Sequence, residues 1–486
     1  MESENPGSEN MSGIDFPISY MERRLLLIII DFLAFNGGFL LSLFFRPDYV
    51  LSWDLVVNNP EWFIFLNLCW FSFGYLFQVY NLENAGASKT AFPNVLGAGL
   101  VALFLFNIIP YLPPTLPPSR APLFVTIIAP LFLLALFRSI YLGIFSQAGF
   151  KRRVLIVGAG WAGETIFRVL EGHGQSLYKV LGFIDDDPFK QDQIVRVGVQ
   201  REDGGHVASA NILGSSDEML DILDAQNVKT LVLAITSDVR GELYQVLTRC
   251  LQHEIEIIPM PLLYEQLTGK VPVQHIGDHW SVAMPLKHPG TRIIWHATKR
   301  AFDLFWAFLG MIFLSITSPF IALAIFLDSP GPIIYKQKRL GRNEELFWVY
   351  KFRSMVPDAE KEGAVWADEN DTRVTRVGQF LRKTHLDEFP QFINILKGEM
   401  SVVGPRPERP EFIEELAEEI PFYRVRLAVK PGMAGWGLIH QGYGASKEDA
   451  LEKLQYDLYY IKHQSLWLDT YILAQTFWDT ITLGGR

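Results

Sequence analysis

The chain has 486 residues, 49% of them hydrophobic, 13% aromatic and 20% charged, with 43 Lys and Arg against 53 Asp and Glu. That length suggests about three units of roughly 150 residues, and a mean hydropathy of +0.16 is higher than a soluble enzyme shows. A net charge of −10 argues against a nucleic-acid-binding protein, which carries a basic face, and two cysteines, Cys69 and Cys250, are too few for a disulfide framework or a cysteine-rich zinc site. The polar, acidic start up to Glu22 lacks the basic and short apolar regions of a cleavable signal peptide.

Four apolar stretches follow, at about 25–45, 62–80, 93–112 and 121–145. Each approaches the ~20 residues a helix needs to cross the hydrocarbon core, so residues 1–150 are expected to form a four-helix transmembrane bundle. Arg23 and Arg24 precede the first stretch, and Lys151, Arg152 and Arg153 follow the last. Basic residues at both ends place both ends in the cytoplasm. The Pro-rich run 110–122 then becomes the outer loop between spans three and four. The stretches are expected to lack intramembrane charge pairs, with Asp31 the lone acidic residue.

From Val154 the pattern changes. VLIVGAGWAGETIFRVL reads as strand, glycine turn and amphipathic helix, and KVLGFIDDD, VKTLVLAI and IEIIPMP read as further strands between helical stretches. This alternation predicts a parallel α/β domain over 151–290. Gly158, Gly160 and Gly163 match the G-x-G-x-x-G fingerprint in its strand-to-helix context, with acidic residues Asp185 to Asp187 about 20 residues on. The turn suits a nucleotide phosphate at a helix N-terminus. Equally, it suits a Rossmann-like scaffold whose glycines serve only the tight turn. No Tyr-x-x-x-Lys follows it.

A fifth apolar segment, 302–327, is also long enough to span. Lys299 and Arg300 lie before it, with Lys336, Lys338, Arg339 and Arg342 after it, which favours one membrane face for both ends. Pro319 removes a helix hydrogen bond, and the Ser318 hydroxyl can satisfy a freed carbonyl. The segment is expected to enter the membrane, bend at Ser318-Pro319 and return.

The remainder is rich in charge. SPGPIIYKQKRLGRNEELFWVYKFRSM reads as turn, strand, basic glycine turn and a second strand ending at Lys351 and Arg353. Further on, Asp387 and Glu388 are adjacent where a loop enters a helix, with Arg382 and Lys383 before them and Arg406 between two prolines after. Thr384 and Asp387 fit a capping box. The helix dipole and the arginines are also expected to keep Asp387 ionised, as a nucleophile or metal ligand requires. Carboxylates that hold a hard cation, beside guanidinium forks that hold phosphate oxygens, suit a pyrophosphate substrate. The residues alone indicate a membrane-bound enzyme acting on phosphorylated substrates.

The run from Lys299 to the end resembles the bacterial sugar transferase family, the monotopic phosphoglycosyl transferases. The matching pieces are Lys299-Arg300-x-Phe302-Asp303, Ser318-Pro319, SPGPIIYKQKRLGR, YKFRSM, DTRVTRVGQFLRKTHLDEFPQ, LKGEMSVVGPRPE and YYIKHQSLWLD. One departure is His385, where the family usually has Ser. The whole layout, bundle 1–150, Rossmann-like domain 151–290 and catalytic domain 291–486 with a re-entrant helix, is similar to the large members.

The resemblance implies transfer of a hexose-1-phosphate, galactose or glucose first, from a UDP-sugar to undecaprenyl phosphate. It also implies UMP release, a sugar-phosphoryl aspartate on Asp387 and two-step kinetics. Mg²⁺ is implied at Asp387 and Glu388, with Lys351, Arg353, Arg382 and Arg406 on phosphate or nucleotide and Asp457 placed by YDLYYIK. A bacterial inner-membrane enzyme is implied, a homodimer with its catalytic domain on the cytoplasmic face, opening O-antigen, capsule or exopolysaccharide synthesis. The tail 459–483, with Trp467 and Trp478, reads as an interfacial or an ordinary packed helix. Two other classes compete: a membrane-tethered nucleotide-sugar dehydratase using the glycine turn, and a transport protein gated by the Rossmann-like domain.

Overall fold

Long Leu, Ile and Phe runs make the first part of the chain helical. The computed structural model describes residues 20–46, 48–109, 114, 120–145, 151–175, 177–191, 193–199, 205–235, 241–275, 293–357, 359, 371–441 and 446–481. Helices Tyr20–Phe44, Pro60–Leu76, Ser88–Ile108 and Arg120–Phe145 stand at the four predicted stretches. The first, third and fourth, with a later helix at 294–328, are long and apolar enough to cross a membrane. The second has 17 residues, at the short end of the spanning range. Leu33, Ile64, Phe104 and Phe132 are each more than 60% exposed on the outside of these helices, where lipid in place of water removes the cost of exposing them. Most of the predicted outer loop 110–122 falls outside the described residues.

One expectation for the bundle is overturned. Asp31 on the first helix and Arg138 on the fourth form a buried ion pair at 2.7 Å. Gly38 brings these helices together: a Cβ there would fall 2.3 Å from Pro130 Cα, a close approach that only small residues permit. Each charge neutralises the other in low dielectric, so the pair is stable only once the helices have packed.

Beyond residue 151, apolar runs shorten to strand length. Strands β1 (Arg152–Val157), β2 (Tyr178–Ile184), β3 (Ile194–Val199), β4 (His206–Gly214), β5 (Thr230–Leu233) and β6 (Glu256–Pro259) form one sheet of order β3-β4-β2-β1-β5-β6. The strands from β4 to β6 run parallel, but β3 is antiparallel to β4. The sheet is therefore mixed, whereas the sequence pointed to a parallel one. The half-polar IVRVGV and HVASANILG runs conceal this edge hairpin, which alternates in and out of solvent as antiparallel edges do.

By its contacts the chain divides into two compact units near residue 260. The bundle and the sheet cluster together as one unit, and the second begins upstream of the predicted boundary at 291. Helix Met260–Thr268 and the turn after it bind within the second unit: Glu265 pairs with Lys462 at 2.8 Å, Lys270 with Glu452 at 2.5 Å, and Trp436 Nε1 donates to Gly269 O at 2.9 Å.

In that unit the predicted segment 302–327 is part of one 36-residue helix, Ile293–Asp328, which continues through Pro319. Ser315 and Thr317 turn their hydroxyls onto the carbonyls of Ile312 and Phe313 just before the proline. Asp303, Ala307, Leu314 and Ile325 on one face are buried, whereas Phe305, Phe308, Ile312, Ile316, Phe320, Leu323 and Leu327 stay exposed. The two predicted strands, β7 (Ile334–Leu340) and β8 (Leu346–Phe352), then pair antiparallel around the basic turn.

Candidate active site

Helix Arg376–Lys383 is started by Thr375, whose hydroxyl accepts from Gly378 N at 3.0 Å. Gly378 allows the helix to lie against the exit of β8: a Cβ there would fall 1.9 Å from Ser354 O. Arg382 in its last turn donates through Nε to Ser354 Oγ at 3.2 Å. The predicted capping box does not form. Thr384 ends this helix instead, its hydroxyl donating to Phe380 O. His385 then adopts a left-handed conformation (φ 54°), which histidine tolerates better than most residues. That reversal opens a tight 3₁₀ turn, Leu386–Gln391, in which Asp387 and Glu388 are buried.

Buried Asn394 ties this turn to β8. It accepts from Tyr350 N at 3.2 Å and donates to Trp348 O at 2.6 Å, which brings Lys351 to the carboxylates. Phe389 in the turn meets Phe313 of the long helix, ring centroids 5.1 Å apart. The carboxylate pair thus rests directly on that helix.

The two adjacent carboxylates have opposite surroundings. Lys351 Nζ and Arg406 Nη2 each donate to Glu388 Oε1 at 2.7 Å, and Arg406 Nη1 approaches Oε2 at 3.5 Å. Burial disfavours the Glu388 charge, but Arg406 and Lys351 outweigh it and hold the carboxyl well below the usual range. Among the described residues, no hydrogen bond or ion pair reaches Asp387. Burial and the neighbouring Glu388 charge push the Asp387 carboxyl up to about 6, against Lys351, Arg382 and Arg406, which pull it down. The expected pull of the arginines toward the ionised form is present, opposed by burial and by Glu388. Asp387 is still predominantly ionised near neutrality.

Arg406 is aimed from behind. Arg339 Nη1 donates to Pro407 O at 3.1 Å, and Arg426 Nη2 donates to Arg406 O at 3.3 Å, fixing the backbone on both sides of the guanidinium. Asp457 is 2% exposed and pairs with Arg426 at 2.8 Å. It acts through Arg426 and Arg406, not as a surface open to substrate. Arg353, expected beside Lys351, donates instead to Ser329 O, and a Cβ at Gly331 would collide with its guanidinium. It clamps the turn that leaves the long helix. Lys351, Arg382, Arg406, Asp387 and Glu388 do converge. Sequence reasoning missed Arg339 and Arg426, whose only signal was their basic character inside conspicuous motifs.

Asp387 offers a free carboxylate to a hard cation, while Glu388 has one oxygen shared by two cations and one long contact. Among the described residues no group of three His, Cys, Asp or Glu gathers as a metal site. The donor set fits Mg²⁺, which keeps several waters and uses one or two carboxylates plus substrate phosphates.

In the α/β domain, Gly158 (φ +102°) and Gly163 are demanded by backbone packing: a Cβ would fall 3.0 Å from Ala234 O and 2.0 Å from Gly158 O respectively. Gly160 faces open space and precedes helix Trp161–Gly172. Asp185 Oδ2 accepts from Ala159 N at 2.7 Å, so the chain's own carboxylate fills an anion seat of the turn. The adjoining cavity, lined by Val157, Gly158, Ile184, Asp185, Asp186, Ile235 and Leu243, has a volume of about 190 Å³, small beside a typical ligand pocket.

Residues 294–483 match the bacterial sugar transferase family. The chain is 40% identical over 245 residues to the UDP-N-acetylgalactosamine-undecaprenyl-phosphate N-acetylgalactosaminephosphotransferase of Aeromonas hydrophila, covering 50% of this chain and 57% of that one. It is 40% identical over 195 residues to the exopolysaccharide production protein PSS of Rhizobium leguminosarum bv. phaseoli, covering 38% of this chain and 96% of that one. It is 37% identical over 193 residues to the undecaprenyl-phosphate galactose phosphotransferase of Salmonella typhimurium, covering 37% and 39%. The match spans little more than half of the Aeromonas protein and less of the Salmonella one.

Proposed function

Since the chain belongs to the bacterial sugar transferase family, we propose that it transfers a hexose-1-phosphate from a UDP-sugar to undecaprenyl phosphate, with Asp387 as nucleophile. The observation that carries this reading is the contrast within the carboxylate pair: Glu388 clamped by Lys351 and Arg406, Asp387 free. A clamped carboxylate is a poor nucleophile, and an unpartnered one is poised to attack.

An Asp387 oxygen attacks the β-phosphorus of the donor. The new O–P bond forms as the bond to the bridging oxygen breaks, and its electron pair leaves with UMP. An oxygen of the lipid phosphate then attacks the same phosphorus and returns Asp387 as a carboxylate. Arg406 and Arg382 hold phosphate oxygens through N–H donors not committed to Glu388 and Ser354, while Glu388 keeps Arg406 in place. Asp387 and Glu388 would hold Mg²⁺, which would supply charge neutralisation on the diphosphate. The relatives' names include N-acetylgalactosamine and galactose among the sugars, so the test is UMP release by purified protein with UDP-galactose, UDP-glucose and UDP-N-acetylgalactosamine. Multiple-turnover release that depends on lipid phosphate and on one sugar, after a single equivalent released without lipid, sustains the reaction and names the donor. Silence with every UDP-sugar sinks it.

The reading includes a re-entrant long helix on the cytoplasmic face of the bacterial inner membrane. Near its start, Arg300 donates to the carbonyls of Ile395 and Leu396, and Asp303 accepts from Ser401 Oγ. At its end, Asp328 accepts from Val377 N, and Ile325 is buried with Phe352 and Leu381. A straight span from Arg300 to Asp328 would be roughly 42 Å long and would carry Asp328 across the bilayer, away from what Arg300 holds. Contacts from both ends to one unit support re-entry, and the exposed apolar stripe between them supports immersion. Pro319→Ala is expected to favour spanning, so that cysteines in the C-terminal unit lose labelling from the cytoplasmic side. Unchanged labelling with intact activity would remove Pro319 from this role. A homodimer and a place in O-antigen, capsule or exopolysaccharide assembly complete the reading, supported by likeness to the large family members.

A further inference from the structure

Helix Lys447–His463 turns Asp457 toward the Arg406 segment, since Asp457 pairs with Arg426 and Arg426 donates to Arg406 O. Lys453 lies four residues earlier, one turn away on the same face. Its stem packs on Gly437: an added Cβ there would fall 3.2 Å from Lys453 Cγ and 3.2 Å from Asp457 Oδ1. The charged groups facing the ammonium are Glu408, Arg406, Arg426 and Asp457. Each of these is engaged elsewhere: Asp457 with Arg426, Glu408 with Arg339 and Arg426, and Arg406 with Glu388. Among the described residues no hydrogen bond or ion pair reaches Lys453. Its ammonium is half-buried, and burial is the main influence pulling its pKa down.

A cation drawn from water whose facing carboxylates, Glu408 and Asp457, are shared with arginines is incompletely compensated, and a ligand oxyanion supplies the missing charge. We propose that Lys453 is a phosphate-binding residue of this site, its ammonium taking an oxyanion of the phosphorylated substrate that Arg406 holds. The inference rests on the proposed reaction. The oxyanion belongs either to the nucleotide or to the lipid phosphate, and the two sources are separable.

The full-length protein, Lys453→Met and Lys453→Arg are compared for UMP affinity by calorimetry, for UMP release without lipid, and for KM of lipid phosphate. Lys453→Met is expected to weaken UMP binding about tenfold or more, with Lys453→Arg restoring most of it, as charge-assisted phosphate contacts require. Unchanged UMP affinity with a KM for lipid phosphate raised about as much would assign the oxyanion to the acceptor and also sustain the role. No change in either quantity overturns it, as does a loss that Arg fails to restore and that tracks a lower melting temperature. Wild-type protein that binds UMP yet turns over no UDP-sugar would fail the reaction, leaving Lys453 judged on UMP affinity. Wild-type protein without UMP affinity or turnover would overturn both.

Discussion

Asp387→Asn is expected to lower UMP release at least about 10³-fold, with or without lipid phosphate, while making the C-terminal unit more stable near neutral pH. The loss follows from removing the carboxylate proposed as the nucleophile of the two-step transfer. The gain follows from electrostatics. The buried Asp387 carboxyl sits at about 6, against 3.8 for the free side chain. Between those values the folded chain holds a proton that the unfolded chain has released. Stability linked to that proton is complete below about 3.8 and is lost as pH rises through about 6. Above that, the ionised carboxylate opposes folding by an amount on the order of 1–3 kcal/mol. Asn carries no charge, so its advantage should appear near pH 7.5 and vanish toward pH 4. Thermal denaturation across that range checks the sign, and a UMP-release assay checks the rate. Turnover within tenfold of wild type would end the covalent assignment. Lost turnover with a lower melting temperature at both pH values would mean that the variant is damaged instead of disarmed.

That pair of outcomes shows where the sequence was readable. The Asp387-Glu388 pair and its arginines lie within about 30 residues of one another, so their convergence is almost local and the motif exposes it. The four apolar helices are visible because lipid demands long apolar runs. Long-range partners left no such mark. Asp31 and Arg138 lie 107 positions apart, and neither residue announces the other until the helices pack. Lys351 and Arg353, two apart, should share a strand face, yet β8 ends at Phe352 and Arg353 turns to Ser329 O. Asp457 was recognised by its motif, but its service to Arg426 arises only when the helix Lys447–His463 packs behind Arg406. Thr384 and Asp387 have capping-box spacing, and the left-handed His385 between them breaks the register that a cap requires.

Glu388→Gln is expected to move the acid limb of the pH–rate profile below its wild-type position near 6, and to cut turnover about 10²-fold or more. Glu388 raises Asp387 through like-charge repulsion, while Lys351 and Arg406 lower it. Neutralising Glu388 removes the repulsion and frees both cations to act on Asp387, and both changes favour its ionised form. More carboxylate is then present at low pH, but Arg406 has lost its main anchor and phosphate is held less well. The variant should also be less stable, by about 3–5 kcal/mol, because two buried cations lose a shared counter-ion. Lys351→Met should shift the limb the other way, since it removes a charge that lowers Asp387 and leaves Glu388 to repel it. Opposite displacements in the two variants, read at one Mg²⁺ concentration, cannot come from general damage, which would depress the whole profile without moving its limb. A limb fixed near pH 6 in both would show that the group titrating in turnover is not Asp387. The division of labour between the two carboxylates would then have to be abandoned.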